Sequence, residues 1–357
     1  MKRPARQLIF ATFIALFLVG APAVVLYTAG YRYNPRNGHI VRTGVLSVSS
    51  TPRGAHIFFD DADTGRTTPY VFNRITPGDY RVTLERDGYH TYIDDVTVES
   101  GKSAYVSDIA LFAASEPLLL NEETGDVTHD VDGNTARVVR TASNDTETWE
   151  YNVRGRSYTL IANAPVDDDN TPAPTTQTVG MLTLTKNATG VEVHNAESPD
   201  TLLSLLPLAD YTIALSAGRY AVLTTPAQKL YVIDLYATQP IALSTTATAW
   251  NAQNGTLVWT DGVEVDTFNF GNHASTFVTR QSAPIVDVAL DTEGAVVFLA
   301  TATTIQSLTQ NDDGMHTTTL ASMDDVEQCW SSTDAHDALY VLGTVGGVRG
   351  FYELGLR

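Results

Sequence analysis

Residues 248–268 read TAWNAQNGTLVWTDGVEVDTF, and this stretch decides how the larger part of the chain folds. Thr248–Trp250, Thr256–Thr260 and Val263–Phe268 are short runs rich in β-branched and aromatic residues, broken at Gly255 and again before Val263. Runs of this kind, punctuated by glycine and aspartate, read as antiparallel strands. The same succession precedes it at Tyr211–Leu215, Gly218, Tyr220–Thr224 and Leu230–Leu235. It returns at Val286–Leu290, Gly294, Val296–Ala300 and Thr304–Leu308, then at Val326–Trp330, Leu339–Gly343 and Gly350–Leu354. With Leu215, Trp250, Leu290 and Trp330 taken as equivalents, the spacings are 35, 40 and 40 residues. Two weaker units come earlier, one over Met181–Leu206 and one over Ala136–Ile161.

That makes about six units of roughly 40 residues, each strand, turn, strand, turn, strand, which is the period and grammar of β-propeller blades. Residues 114–357 are therefore expected to form a propeller-like domain of about six blades. A β-sandwich or an open β-solenoid would use similar strands, and the Gly-His…Trp-Asp signature of one propeller class is missing. Large apolar residues at a repeated position usually pack between neighbouring units, so Trp250 and Trp330 are expected to be buried packing residues rather than sugar-stacking platforms.

Upstream the character changes. Leu8 to Tyr27, LIFATFIALFLVGAPAVVLY, is 20 residues without a charge, behind the basic tail Met1-Lys2-Arg3-Pro4-Ala5-Arg6. About 20 apolar residues cross a hydrocarbon core of roughly 30 Å, so residues 1–30 read as a cytoplasmic tail and one transmembrane anchor. A cleaved signal peptide is the alternative, with Ala21-Pro22-Ala23 as the cleavage site. Against cleavage, the apolar run continues to Tyr27, and Tyr27, Tyr31 and Tyr33 form an interfacial aromatic belt. Residues 31–43 are a polar linker in which Asn34-Pro35 and Asn37-Gly38 are turn pairs. Lys2, Arg3 and Arg6 favour a cytoplasmic N-terminus, with everything beyond residue 30 outside the cytoplasm. So short a tail leaves no room for a signalling domain, which disfavours a sensor.

Between Gly44 and Leu111 the residues alternate with period two and are broken by Pro and Gly every dozen residues or so. This describes a small antiparallel β-sandwich. Its order is LSVSSTPRGAHIFFDD, then GRTTPYVF, ITPGDYRVTLERDGYHTY and VTVESGK. In that succession of S-x-P-x-G-A, an Asp-containing turn, G-x-T-P, P-G-x-Y and G-Y, residues 44–113 resemble a PEGA domain. The resemblance implies an extracytoplasmic, surface-associated module with no enzymatic motif. Asp60, Asp61 and Asp63 weakly resemble a calcium loop but lack its closing bidentate glutamate, so a solvated turn at Asp60–Gly65 is the expectation.

Composition bounds the function. The net charge is −19, yet residues 1–42 carry six basic residues and no acid. Residues 115–357 carry 31 acids against 10 bases, a surface that repels nucleic acid and tolerates cationic polymers or divalent ions. One cysteine, Cys329, excludes an internal disulfide framework and reads as a small buried hydrophobe. The eight histidines are scattered, and no nucleophile elbow, phosphate loop or zinc spacing is present. Asp167–Asp169, Asp312-Asp313 and Asp324-Asp325 read as loop acids, and Asn163–Thr178 as a surface loop. No catalytic, cofactor-binding or metal residue is assigned and no cofactor is expected. The leading expectation is a non-enzymatic, membrane-anchored PEGA protein presenting a propeller-like binding or scaffolding domain in a prokaryotic cell envelope. The alternative is an envelope-glycan hydrolase or lyase. It requires two carboxylates about 5–10 Å apart in a central channel, walled by an aromatic such as Trp149, Trp250, Trp259 or Trp330.

Overall fold

The computed structural model describes residues 3–34, 38–129, 133–142, 145–165, 176–311, 314–333 and 335–357. The chain divides into two compact units, one within Met1–Ala113 and one over Ala114–Gln310 and Met315–Arg357.

The first unit opens with a single α-helix, Arg3–Thr28. The span Phe10–Thr28 is long and apolar enough to cross a membrane, and Phe13, Leu16, Phe17 and Val24 all point outward. Pro22 lies inside the helix, where a missing N–H leaves one carbonyl unpaired without ending the element. The linker is more ordered than its turn pairs suggest: Tyr31–Asn34 and His39–Arg42 pair as a two-stranded antiparallel ribbon.

Residues 44–110 form two sheets around one core. The first has the order Tyr70–Ile75, Gly44–Thr51, Ser103–Ala110, and the second Ala62–Thr67, His56–Phe59, Gly78–Glu85, Tyr92–Val98. Leu46 and Val48 alternate inward and meet Ile57, Val82, Leu84 and Val106 in a core closed to solvent. Two expectations are corrected here. The sandwich is not purely antiparallel, because the last strand crosses over from the second sheet and runs parallel to Gly44–Thr51. The turn is also shorter than Asp60–Gly65: Asp60 and Asp61 take positive φ, 47° and 65°, and the chain re-enters a strand at Ala62, within which Gly65 is again left-handed at 64°. Aspartate tolerates that left-handed geometry, which lets a two-residue hairpin replace a longer loop.

Among the described residues, the second unit has six four-stranded antiparallel sheets. Five are sequential, and their leading strands are Asp126–His129, Thr176–Val179, Thr212–Ala217, Ala249–Gln253 and Ile285–Leu290. The sixth, led by Asp325–Ser332, borrows its outer strand from the start of the unit: Leu118–Glu122 pairs antiparallel with Val348–Gly355. Leading strands pack side by side, Ala249–Gln253 against Ile285–Leu290 and the latter against Asp325–Ser332. Apolar clusters fill the spaces between sheets. Val222, Val232, Leu257 and Phe268 join the third sequential sheet to the fourth in one layer, and Val258, Val265, Val288 and Leu299 join the fourth to the fifth. Val138 and Tyr151 of the first sequential sheet share a cluster with Trp330, Tyr340 and Phe351 of the last, so the array closes on itself. This is a β-propeller, in which only closure removes the exposed edges of the sheets.

Closure is reinforced by a polar clasp. The Glu123 carboxylate accepts hydrogen bonds from Arg140 Nε (3.1 Å) and Nη2 (2.7 Å), from the N–H groups of Thr124 and Gly125 (both 2.8 Å), and from Tyr158 Oη (2.7 Å). Burial alone would raise its pKa, but these donors together hold it at about 2. Arg349 donates through Nη1 to the Glu123 and Gly125 carbonyls, and its Nε and Nη2 form a fork onto Glu327 at 2.5 and 2.7 Å.

Candidate functional site

The propeller's leading strands bring together residues far apart in sequence. Thr128 and His129, Thr248–Asn251, Val286 and Asp287, and Glu327 and Gln328 line one axial cavity of about 400 Å³. All four segments belong to leading strands or their entries, so the backbone pattern that closes the ring also sets this constellation.

Asp287 is its most unusual member. It is only 7% exposed, and its carboxylate is held by two backbone N–H groups: Val288 to Oδ1 at 2.9 Å and Cys329 to Oδ2 at 2.8 Å. Burial pushes its pKa up to about 6, partly offset by the charge of His129 and by those two N–H groups. His129 lies flat on Trp330, ring centroids 5.0 Å apart at 14°. Asn251 Oδ1 accepts from the Leu290 N–H at 3.2 Å, so that carboxamide fastens one leading strand to the next. Gln328 donates through Nε2 to the Val127 carbonyl at 2.9 Å, and its buried Oε1 has no hydrogen-bond partner among the described residues.

A second cavity, of about 730 Å³, lies by the trailing ends of leading strands, with Leu215, Ala217, Ala252, Gln253, Tyr220 and Phe270 in its wall. Tyr220 stacks on Phe270 at 4.9 Å. Behind them the buried Asp234 binds the Arg219 guanidinium at 2.8 and 2.6 Å and approaches His273 Nε2 at 3.3 Å. The Arg219 hydrogen bonds hold the Asp234 pKa below the usual carboxylate range. This wall is apolar and its polar groups are paired, so it offers surface more than chemistry.

The four tryptophans separate. Trp330 is fully enclosed and Trp259 is 6% exposed, whereas Trp250 is half-buried and forms part of the axial cavity. The expectation that Trp250 and Trp330 play the same buried role is thus corrected. Trp250 pairs with Trp259 across its hairpin and packs at the edge of the cluster shared with the preceding sheet, whereas Trp330 pairs with Tyr340 inside the cluster shared with the first sequential sheet. Trp149 lies on Asp145–Asn152, with its Nε1 donating to Glu147. Cys329 is buried, as a hydrophobe would be, and burial raises its thiol well above the ordinary range. Asp325 opens a strand rather than sitting in a loop, and Asp324 accepts from the Gly347 N–H at 3.0 Å in the Gly346-Gly347 hairpin. Asp167–Asp169 and Asp312-Asp313 lie outside the described residues. Among the described residues, no group of three or more His, Cys, Asp or Glu side chains is arranged to hold a metal ion.

Asp287 and Glu327 do place two carboxylates in one cavity beside Trp250. Both are engaged, Asp287 by two backbone N–H groups and Glu327 by the Arg349 fork. These contacts fasten neighbouring strands to one another.

Residues 43–109 match the family model described as PEGA domain. Comparison with curated proteins finds no relative. Among solved structures, the chain is similar to Hsv2p of Kluyveromyces lactis, with 13% identity, a TM-score of 0.38, and 64% of this chain and 72% of that one covered. It is also similar to KlAtg21, solved in complex with the coiled coil of AgAtg16, with 9% identity, a TM-score of 0.40, and 62% and 78% covered. PorZ, a surface component of the type-IX secretion system of Porphyromonas gingivalis, aligns over 78% of this chain and 36% of its own, with 12% identity and a TM-score of 0.34.

Proposed function

We propose that this chain is a non-enzymatic binding or scaffolding protein of a prokaryotic cell envelope, anchored by its N-terminal helix with the PEGA domain and propeller outside the cytoplasm. In chain order the PEGA domain comes between anchor and propeller and acts as a spacer or wall-proximal adaptor. The domain boundaries that go with this reading are 1–30, 31–43, 44–113 and 114–357. The observation that carries it is the order of parts: an apolar helix exposed on all sides, then a PEGA domain at 43–109, then a closed propeller with a lined axial cavity. An apolar span such as Phe10–Thr28, left unburied by the rest of the described chain, calls for a lipid environment.

Membrane fractionation and protease shaving of intact cells test this. The protein is expected in the membrane fraction, and residues 43–357 are expected to be digested from outside the cytoplasmic membrane. A soluble, cytosolic product would end the reading. Turnover of peptidoglycan or capsule fragments, abolished by Asp287→Asn, would favour the hydrolase or lyase instead.

A further inference from the structure

The axial cavity presents acceptors. Asp287 contributes a carboxylate whose two oxygens each keep a lone pair beyond the backbone N–H they accept, and Gln328 contributes the enclosed Oε1. The Gln328 amide is oriented by its own donation to the Val127 carbonyl, so the unpartnered atom is the oxygen. Thr128 and Thr248 add hydroxyl-bearing residues to the same wall. The charged neighbour of Asp287 in the cavity is His129, and among the described residues no lysine or arginine forms an ion pair with it, although Glu123, Asp234 and Glu327 each have an arginine. A buried carboxylate that His129 compensates only in part remains costly, and a ligand that brings donors and positive charge offsets that cost.

We infer that the axial cavity binds a primary ammonium group on an unbranched alkyl chain, the chemistry shared by a lysine side chain and a free diamine. This rests on the binding reading of the propeller. An ammonium carries three donors and no acceptor, which suits separate acceptors on Asp287, Gln328 and the threonines. A guanidinium prefers both oxygens of one carboxylate in a planar fork, and on Asp287 each oxygen is already bonded to a backbone N–H. Trp250, half-buried in the wall beside Ala249 and Val286, supplies an aromatic face for the cation and apolar surface for the methylenes. The strongly acidic composition of residues 115–357 draws cations toward the domain.

Isothermal titration of the full chain in detergent, at neutral pH, tests this with four probes: 1,5-diaminopentane, N-acetyl-lysine methylamide, agmatine and 1-pentanol. The diamine or the blocked lysine is expected to bind saturably, agmatine more weakly through its amine end, and pentanol not at all. Tighter binding of the diamine assigns free amines, and tighter binding of the blocked lysine assigns a peptide side chain. Asp287→Asn is expected to weaken binding by at least about 30-fold, as loss of a buried charge partner does. Gln328→Met, which keeps side-chain length and leaves Asp287 untouched, should weaken it by about tenfold, and it decides the matter if Asp287→Asn does not fold. No binding of either amine overturns the inference, as does equal binding of pentanol or affinity unchanged in both variants. Retention of an envelope component by a propeller that ignores amines defeats the cavity assignment alone. A cytosolic product defeats the proposed location and leaves the titration standing.

Discussion

Replacing Glu123 with glutamine tests whether the clasp holds the ring shut. The side chain is fully enclosed, while Arg140 keeps 36% of its side chain in solvent. Moving the carboxyl from its ordinary 4.5 to about 2 corresponds to about 3 kcal/mol of preference for the ionised form in the folded state. Partial exposure of the arginine reduces this to about 2–3 kcal/mol. A folded pKa below the unfolded one gives stability that is present above about pH 4.5 and lost as the pH falls toward 2; about 2 kcal/mol of it is gone by pH 3. Urea unfolding of wild type and Glu123→Gln, followed by tryptophan fluorescence at pH 7 and pH 3, measures the difference directly. The variant is expected to be less stable by about 2–3 kcal/mol at pH 7 and by much less at pH 3. A difference below about 0.5 kcal/mol at pH 7, or one that does not change with pH, would refute the argument that Glu123 is ionised and charge-paired at the closure.

Asp287 should show the opposite sign: its folded pKa of about 6 lies above the unfolded value, so its favourable contribution is complete below about pH 4 and is lost as the pH rises through 6. The stability difference between wild type and Asp287→Asn, measured by urea unfolding at pH 4 and pH 7, should therefore move against wild type as the pH rises. Trp330→Ala removes an indole that is fully enclosed and is expected to cost about 3–5 kcal/mol, whereas Trp250→Ala, half-exposed at the cavity, should cost about 1–2 kcal/mol; thermal melts separate the two. Gly350→Ala would place a Cβ 2.3 Å from the Asn121 carbonyl oxygen, inside the strand pair that closes the ring, and should cost about 1–3 kcal/mol in the same melts.

Much of this architecture is legible in sequence because strands with one buried face write their period into the chain. Tyr220–Thr224, Thr256–Thr260 and Val296–Thr301 are the second strands of their sheets, mostly buried, and they stand out as apolar runs. The fourth strands do not. Ile241–Thr246, Ala274–Arg280 and Gly314–Ser322 are outer strands, largely exposed and rich in Ser and Thr, so each unit reads as three strands. Leu118–Glu122 is hidden for a different reason: its partner is Val348–Gly355, at the far end of the chain, and no local pattern announces that pairing. The cavity was illegible on the same ground. His129, Trp250, Asp287 and Gln328 sit in four separate units, and each alone is an unremarkable residue beside a strand. A better signal was a polar residue at a leading-strand position where its neighbours are apolar, as Asp287 is between Val286 and Val288.

The two buried carboxylates of the ring make the case for a ligand sharper than either does alone. Glu123 and Asp287 belong to the same closed array, and both accept backbone N–H groups. Glu123 also receives a guanidinium and a phenol, and its pKa falls; Asp287 receives neither, and its pKa rises. Burial acts on both in the same direction; at Glu123 the Arg140 guanidinium, the Tyr158 hydroxyl and two N–H groups outweigh it, whereas at Asp287 the charge of His129 and two N–H groups offset it only in part. A carboxylate that only joined strands would be served as well by asparagine or serine, as Asn251 and Ser331 serve by bonding Leu290 from either side. Asp287 keeps a charge that His129 offsets only in part, at the wall of a cavity that Gln328, with its unpartnered amide oxygen, also lines. If no cation ever occupies that space, removing the charge should stabilise the propeller at neutral pH with no loss of any binding. If one does, the stabilised variant should be the one that no longer binds.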